Sequence, residues 1–200
     1  MKKIAYISLS ILLFAGCGIN KQVKNLKAFE DCRYEITSAD SLYIANVKVA
    51  DLVNNGGFDL SKTPRIALAL LRKDVPLSGK INMLIKNPTA DLAAVNQFEY
   101  KILFKNAELA NGLVDQPIAV QPNGEARVPI KINSNIYGLL SDSKTQDAIV
   151  DFISSAKEGK EEKKGIVTIK IKPTIGFGGK KIKYPGYITI DKEVSSKILL

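Results

Sequence analysis

The sequence predicts a mainly β protein, an antiparallel β-sandwich carrying one or two short helices at its edges or ends. Three observations predict it. Apolar and polar residues alternate in several short runs: Ile81, Met83 and Ile85; Phe98, Tyr100, Ile102 and Phe104; Val167, Ile169 and Ile171. That is the period-2 pattern of strands with one face in a core. Clusters of Asn, Gly and Pro separate the runs and read as turns. The composition, 46% hydrophobic and 24% charged over 200 residues, fits one globular domain.

In chain order, 33–37 and 42–49 read as strands, with Cys32, Tyr34 and Ile36 sharing a face. Asn54, Asn55, Gly56 and Gly57 read as a turn. Thr63 then Pro64 reads as an N-cap followed by proline at the first helical position. The six apolar residues 66–71 make that helix either mostly buried or a cap on one end of a barrel or sandwich. Residues 80–86 form a strand that Asn87 and Pro88 end. The strand 98–104 has Glu99, Lys101 and Lys105 on its wet face. Residues 106–111 read as a turn, with Gly112 permitting a bulge or bend. Residues 118–120, the turn 121–124 and the strand 125–132 read as a hairpin. Ile149, Phe152, Ile153 and Ala156 keep helical spacing, so 142–156 is an amphipathic helix. A charged loop, 157–165, leads into the strand at 167–171. A glycine-rich turn at 177–181 returns the chain through 187–190.

The N-terminus specifies a compartment. Lys2 and Lys3 precede an apolar run, 4–15, broken only by Ser8 and Ser10, which is the pattern of a secretory signal peptide. As a helix it would reach about 18 Å, too short for a hydrocarbon core of about 30 Å. Phe14, Ala15, Gly16 and Cys17 resemble a bacterial lipobox, although Leu13 stands one position earlier than the usual leucine. Cys17 is the expected lipidation site. Acyl chains there supply the two-chain anchor that stable membrane attachment needs.

The domain reading is then a signal peptide over 1–16, a lipidated tether over 17–28, a sandwich over 29–192 and a C-terminal tail over 193–200. The tether carries three lysines and could extend about 36 Å. No aspartate or acidic run follows Cys17, so the expected location is the outer membrane, facing the periplasm. Nucleic acid is excluded as a partner of an exported chain, despite a net charge of +9. Membrane is the expected partner through the lipid, with an envelope protein or anionic lipid as a further one.

Chemistry is sparse. Histidine is absent, which removes Ser-His-Asp and Cys-His catalysis and His-based metal sites. No carboxylate pair stands out. No enzyme activity, cofactor or metal is expected. With Cys17 lipidated, Cys32 has no partner in the chain and reads as a small buried side chain. The most distinctive surface is Lys180, Lys181, Lys183 and Tyr184, beside Phe177 and Tyr187. These residues are the candidate contact for an anionic partner.

The central block carries a further pattern. An apolar strand ends in Asn87 and Pro88. A Phe-x-Tyr-x-Ile-x-Phe strand, 98–104, follows. Then come Asn111 and Gly112, the turn 122–124, and a strand ending Val-Pro-Ile-x-Ile at 128–132. This resembles the late-embryogenesis-abundant group 2 family, the water-stress and hypersensitive-response (WHy) domain, in the form of a Bacteroidetes-type lipoprotein. Asn87, Pro88, Tyr100 and Gly112 are the structural motif positions. Thr89 stands where the family has a second Asn or Asp. The resemblance implies an immunoglobulin-like or fibronectin-like sandwich associated with desiccation, cold or other envelope stress, and no catalytic residues. The expected function is a lipid-anchored, non-enzymatic envelope protein that protects or scaffolds. The rival is a binding module for a protein, glycan or lipid partner, and a third reading is lipid carriage in a cavity between the sheets.

Overall fold

The computed structural model describes residues 20–54, 63–157, 161–177 and 180–199. The signal-peptide and Cys17 readings, and the glycines at 56, 57, 178 and 179, lie outside them. Two antiparallel sheets carry the fold, as the alternations predict. The first runs β2 (Val47–Lys48), β1 (Arg33–Ile44), β3 (Pro76–Lys86), β8 (Glu125–Asn135). The second runs β6 (Ala107–Val114), β5 (Gln97–Phe104), β9 (Lys164–Phe177). On the far edge of β9 lie both β11 (Ile188–Ser195) and β10 (Lys180–Lys183), one after the other. A small ribbon of β4 (Ala93–Val95) and β7 (Ile118–Val120) closes one end. Ile81, Met83 and Ile85 of one sheet share a single core with Phe98, Ile102, Ile169 and Ile171 of the other.

Several elements differ from the sequence reading, each for a local reason. The runs at 33–37 and 42–49 belong mostly to one strand, β1. It crosses the polar stretch 38–41 with two register shifts, where the Asn82 amide donates to Ser38 Oγ at 2.7 Å and to Asp40 at 2.5 Å. The strand reading stops at β2, because Val49–Asn54 is a helix, α2. The turn at 106–111 is only Lys105 and Asn106, both at positive φ. That matches the left-handed pair of a tight hairpin, and β6 begins at once. Its irregularity falls between Ile102 and Leu103 of β5, not at Gly112.

The hairpin expected over 118–132 does not form. β7 pairs with β4, and β8 pairs with β3. The turn between them is real, with Asn123 at φ 54° and Gly124 N–H bonded to Gln121 O. It carries the chain from the ribbon into the first sheet.

Helix α3 (Pro64–Leu71) starts at Thr63 and Pro64 as expected, yet it is not mostly buried. Ile66 and Ala69 face the core, while Leu68 and Leu71 face water. Helix α4 (Tyr137–Ser141) was not legible. Helix α5 (Ser143–Ser154) is, with the Asp142 carboxylate accepting from Thr145 N–H as its N-cap. Thr145, through its hydroxyl first and its N–H second, holds the Asp142 carboxyl below its ordinary range.

Within the described residues, 20–30 and 193–199 form regular structure rather than a tether and a tail. Residues 20–30 form a helix, α1, with Ala28 and Phe29 buried. Phe29 meets Tyr34 edge-on at 5.8 Å, and Lys24 pairs with Asp91 at 3.0 Å. Helical rise shortens its reach to about 16 Å. At the other end β11 runs to Ser195, and a 3-10 turn (Ser196–Leu199) packs onto the fold. Every described element but the exposed strand β10 places side chains in or against one core. A protein that starts at Gly18 keeps α1 and every other described element.

Candidate functional site

Three places carry the candidate residues: a turn hub, a lysine-rich sheet face, and a cavity that sequence reasoning did not locate.

The hub is Asn87. It is 2% exposed, and its side chain is saturated. The amide donates to the carbonyls of Asp91 at 2.8 Å, Val120 at 3.0 Å and Gln121 at 3.2 Å. Its oxygen accepts from Thr89 N–H at 3.0 Å. Thr89 Oγ1 lies 2.8 Å from the same oxygen and accepts from Asp91 N–H at 3.3 Å. A threonine thus supplies the turn chemistry expected of a second Asn or Asp. Pro88, exposed beside it, holds Asn87 out of helical backbone. Tyr100 and Gly112 form a second constructional pair. The Tyr100 hydroxyl donates to Lys131 O on the opposite sheet. The ring lies so close over β6 that a Cβ on Gly112 would stand 2.7 Å from its Cζ. These four motif residues hold the sandwich together and present no open chemistry.

Lys180, Lys181 and Lys183 sit on β10, at the free edge of the second sheet, with Tyr184 just beyond. The structure brings them to one edge but engages three of them internally. Lys181 Nζ donates to Gln97 Oε1 at 2.5 Å, and Lys183 is ion-paired with Glu99. The Lys183 bond holds the Glu99 carboxyl below its ordinary range. Tyr184 OH donates to Glu30 Oε1 at 3.0 Å, and that bond raises the tyrosine pKa. Lys180 is exposed, and Lys172 stands 5.4 Å from the Tyr187 ring. The side chain of Phe177 lies outside the described residues.

Cys32 is buried, and its thiol lies 3.2 Å from Ala28 O. Burial first, and Asp31 second, push its pKa up to about 11. At neutral pH it is a protonated packing side chain, because reactivity requires thiolate.

The cavity lies between the sheets at the end away from Asn87. It holds about 130 Å³. Every side chain lining it is apolar, among them Ile81, Ile102, Phe104 and Ile153. Each of these reads as ordinary core in the sequence, which is why none signalled a site. Gly165 lies against two of the lining rings. A Cβ there would meet Phe104 at 2.6 Å and Phe152 at 3.0 Å, and those rings pack at 5.1 Å.

No family model matches the chain, and no curated protein matches it. Solved structures do. A protein from Archaeoglobus fulgidus is similar over 59% of this chain and 83% of its own, at 18% identity and TM-score 0.35. A candidate late embryogenesis abundant (LEA) protein, At2g46140.1, is similar over 97% and 83%, at 15% identity and TM-score 0.32. AT1g01470 from Arabidopsis thaliana is similar over 82% of each chain, at 13% identity and TM-score 0.33. The structural neighbours thus include LEA-like proteins. At these scores the sandwich assignment rests on the sheets themselves.

Proposed function

We propose that the chain is a lipid-anchored, non-enzymatic protein of the bacterial cell envelope, held by acyl chains on Cys17, that protects or scaffolds envelope components under water stress. The observation that carries this reading is the character of the surface. Large exposed apolar side chains are scattered among the described residues: Val23 on α1, Leu68 and Leu71 on α3, Leu113 on β6, Ile166 on β9 and Ile182 on β10. Between them run exposed ion pairs such as Lys86–Glu35, Lys101–Glu108 and Lys164–Glu193. Exposed pairs of this kind add little stability, but they keep a surface hydrated and non-sticky. A module dedicated to one protein partner would gather its apolar side chains into one patch of several hundred Å².

The test uses the chain from Gly18, frozen and thawed with a freeze-labile enzyme. Retained activity should exceed, several-fold, that given by an equal mass of an unrelated sandwich protein. Protection no better than this control would overturn the reading.

The same protein tests the lysine edge. Anionic vesicles should bind it through Lys180 and Lys181. A nearby lysine is worth about 1 kcal/mol at such a surface, so reversing both charges should weaken binding at least tenfold at low salt. Lys183→Gln should matter less, because Glu99 already offsets that charge. Unchanged binding after the double reversal would remove this edge as the contact.

A further inference from the structure

The two seams of the sandwich are built differently. At the β6–β8 seam the sheets are stitched by polar bonds. Tyr100 OH reaches Lys131 O, and Ser134 Oγ donates to Leu109 O at 2.6 Å. At the opposite seam β1 and β11 run as neighbouring edges. Among the described residues, no hydrogen bond joins β1 to β11 or to the 3-10 turn that covers the gap. That turn is fastened from one side only. Ser196 N–H bonds Lys163 O at 2.9 Å, and Lys197 Nζ bonds Ala156 O at 3.1 Å, both on the α5–β9 side. Its Ile198 and Leu199 line the cavity together with Ile36, Ala39 and Leu42 of β1.

The cavity lies behind this seam. On its β1 side stand Ile36, Ala39 and Leu42, each half-buried rather than buried, where β1 has its two register shifts. On the turn stand Ile198 and Leu199, also half-buried. The deep wall, with Ile81, Ile102 and Ile153, is closed. The space is thus an apolar pit whose loosest wall is a seam closed by side-chain contact alone.

The lining selects the ligand chemistry. A polar group inside would have no side chain to bond, and burying one unpaired costs several kcal/mol. The occupant must be hydrocarbon within the pit, with any polar head left in water. The size is comparable with the engineered apolar cavity of about 150 Å³ that stays dry and takes benzene. We infer that this cavity takes the end of a single aliphatic chain, about six carbons deep, entering between β1 and the C-terminal 3-10 turn. Free fatty acids and the acyl chains of glycerolipids share this chemistry. The inference is independent of the protective role, since it concerns the interior and that role concerns the surface.

The test is a titration of the chain from Gly18, followed by methyl ¹³C–¹H spectra. One arm uses sodium octanoate, a second 1-octanoyl-lysophosphatidylcholine, and sodium butanoate is the short control. Saturable shifts are expected at the methyls of Ile36, Ala39, Leu42 and Leu199, with butanoate at least tenfold weaker than octanoate. Binding of octanoate alone assigns the pit to free acids. Binding of both assigns it to acyl chains in general, and binding of the lysolipid alone to glycerolipid chains.

Ala39→Phe fills the pit and should weaken binding at least tenfold, with a thermal melt showing that it folds. Leu199→Lys, at the half-exposed C-terminal turn, puts a charge at the entrance without touching the deep wall, and should weaken binding several-fold. No saturable shift, shifts scattered over the surface, or affinity indifferent to both variants would overturn the inference. Because the freeze–thaw assay is read separately, failure here leaves the protective reading standing, and the reverse.

Discussion

Asn87→Ala should destabilise the fold by about 3 kcal/mol or more, lowering Tm by roughly 6–12 °C for a domain of this size. The reason is the number of groups that the side chain satisfies at once. Its amide bonds three carbonyls, those of Asp91, Val120 and Gln121, and its oxygen takes the Thr89 N–H. Alanine would remove all of these bonds in a place that is 2% exposed, although Asp91 O keeps Thr89 Oγ1 and Gln121 O keeps the Gly124 N–H. An unmade bond at a buried group costs more than a made one contributes. The hub also fixes topology. It ties the turn after β3 to the crossing from β7 to β8, so its loss loosens the ribbon and the first sheet together.

Asn87→Asp separates polar chemistry from shape. Aspartate keeps the oxygen facing Thr89 but sets its second oxygen against three carbonyls. Its ionised form is disfavoured there, so the folded-state pKa of the new carboxyl would be raised. A raised acid binds more protons folded than unfolded. The variant should therefore be most stable at acid pH, relative to the unsubstituted protein, and lose that stability as pH rises toward neutrality. Chemical denaturation at two pH values would show it. An Asn87→Asp protein as stable as the original at neutral pH would contradict the hub.

Asn87 also shows what kind of information a sequence carries. Its turn was legible, because Asn before Pro is a local signal. Its long-range partners were not, because nothing local says that the carbonyls of Val120 and Gln121 will arrive beside it. The same division explains the strands. β5 and β9 alternate cleanly because they are the inner strands of the second sheet, each paired on both sides and buried on one face. β6 lies at that sheet's edge and buries only Ala110 and Val114, so 106–111 reads as a turn. The turn 121–124 was legible as a turn and misleading as a hairpin, since a turn does not choose its strand's partner. In α1, Ala28 and Phe29 alone are buried, so the stretch before them looks like a solvated tether. The cavity was illegible for a different reason. A void is a property of how side chains fail to meet, and isoleucine around a void is spelled like isoleucine in a packed core.

Gly112→Ala should cost about 3 kcal/mol, and that cost should vanish when Tyr100 is shortened. An added Cβ would stand 2.7 Å from Tyr100 Cζ, closer than such atoms sit, so something must move. The ring cannot swing aside cheaply, because it is 5% exposed and its hydroxyl is bonded to Lys131 O. Overpacking costs roughly 1–3 kcal/mol, and tearing the hydroxyl from its part-buried bond to Lys131 O adds about 1 kcal/mol.

In a Tyr100→Leu background the ring atoms that the new Cβ meets are gone. There Gly112→Ala should be neutral, or slightly stabilising, since glycine in a strand carries an entropic cost of about 0.5–1 kcal/mol. The double-mutant cycle should then show a coupling of about 3 kcal/mol. Equal costs in both backgrounds would mean that Gly112 is required by its backbone and not by the ring. The distinction bears on the whole sandwich. If the ring is what Gly112 serves, this glycine exists so that one tyrosine can cross β6 and bind the sheets along the β8 seam. Among the described residues the β1 seam has no such bond, and the cavity lies behind that seam.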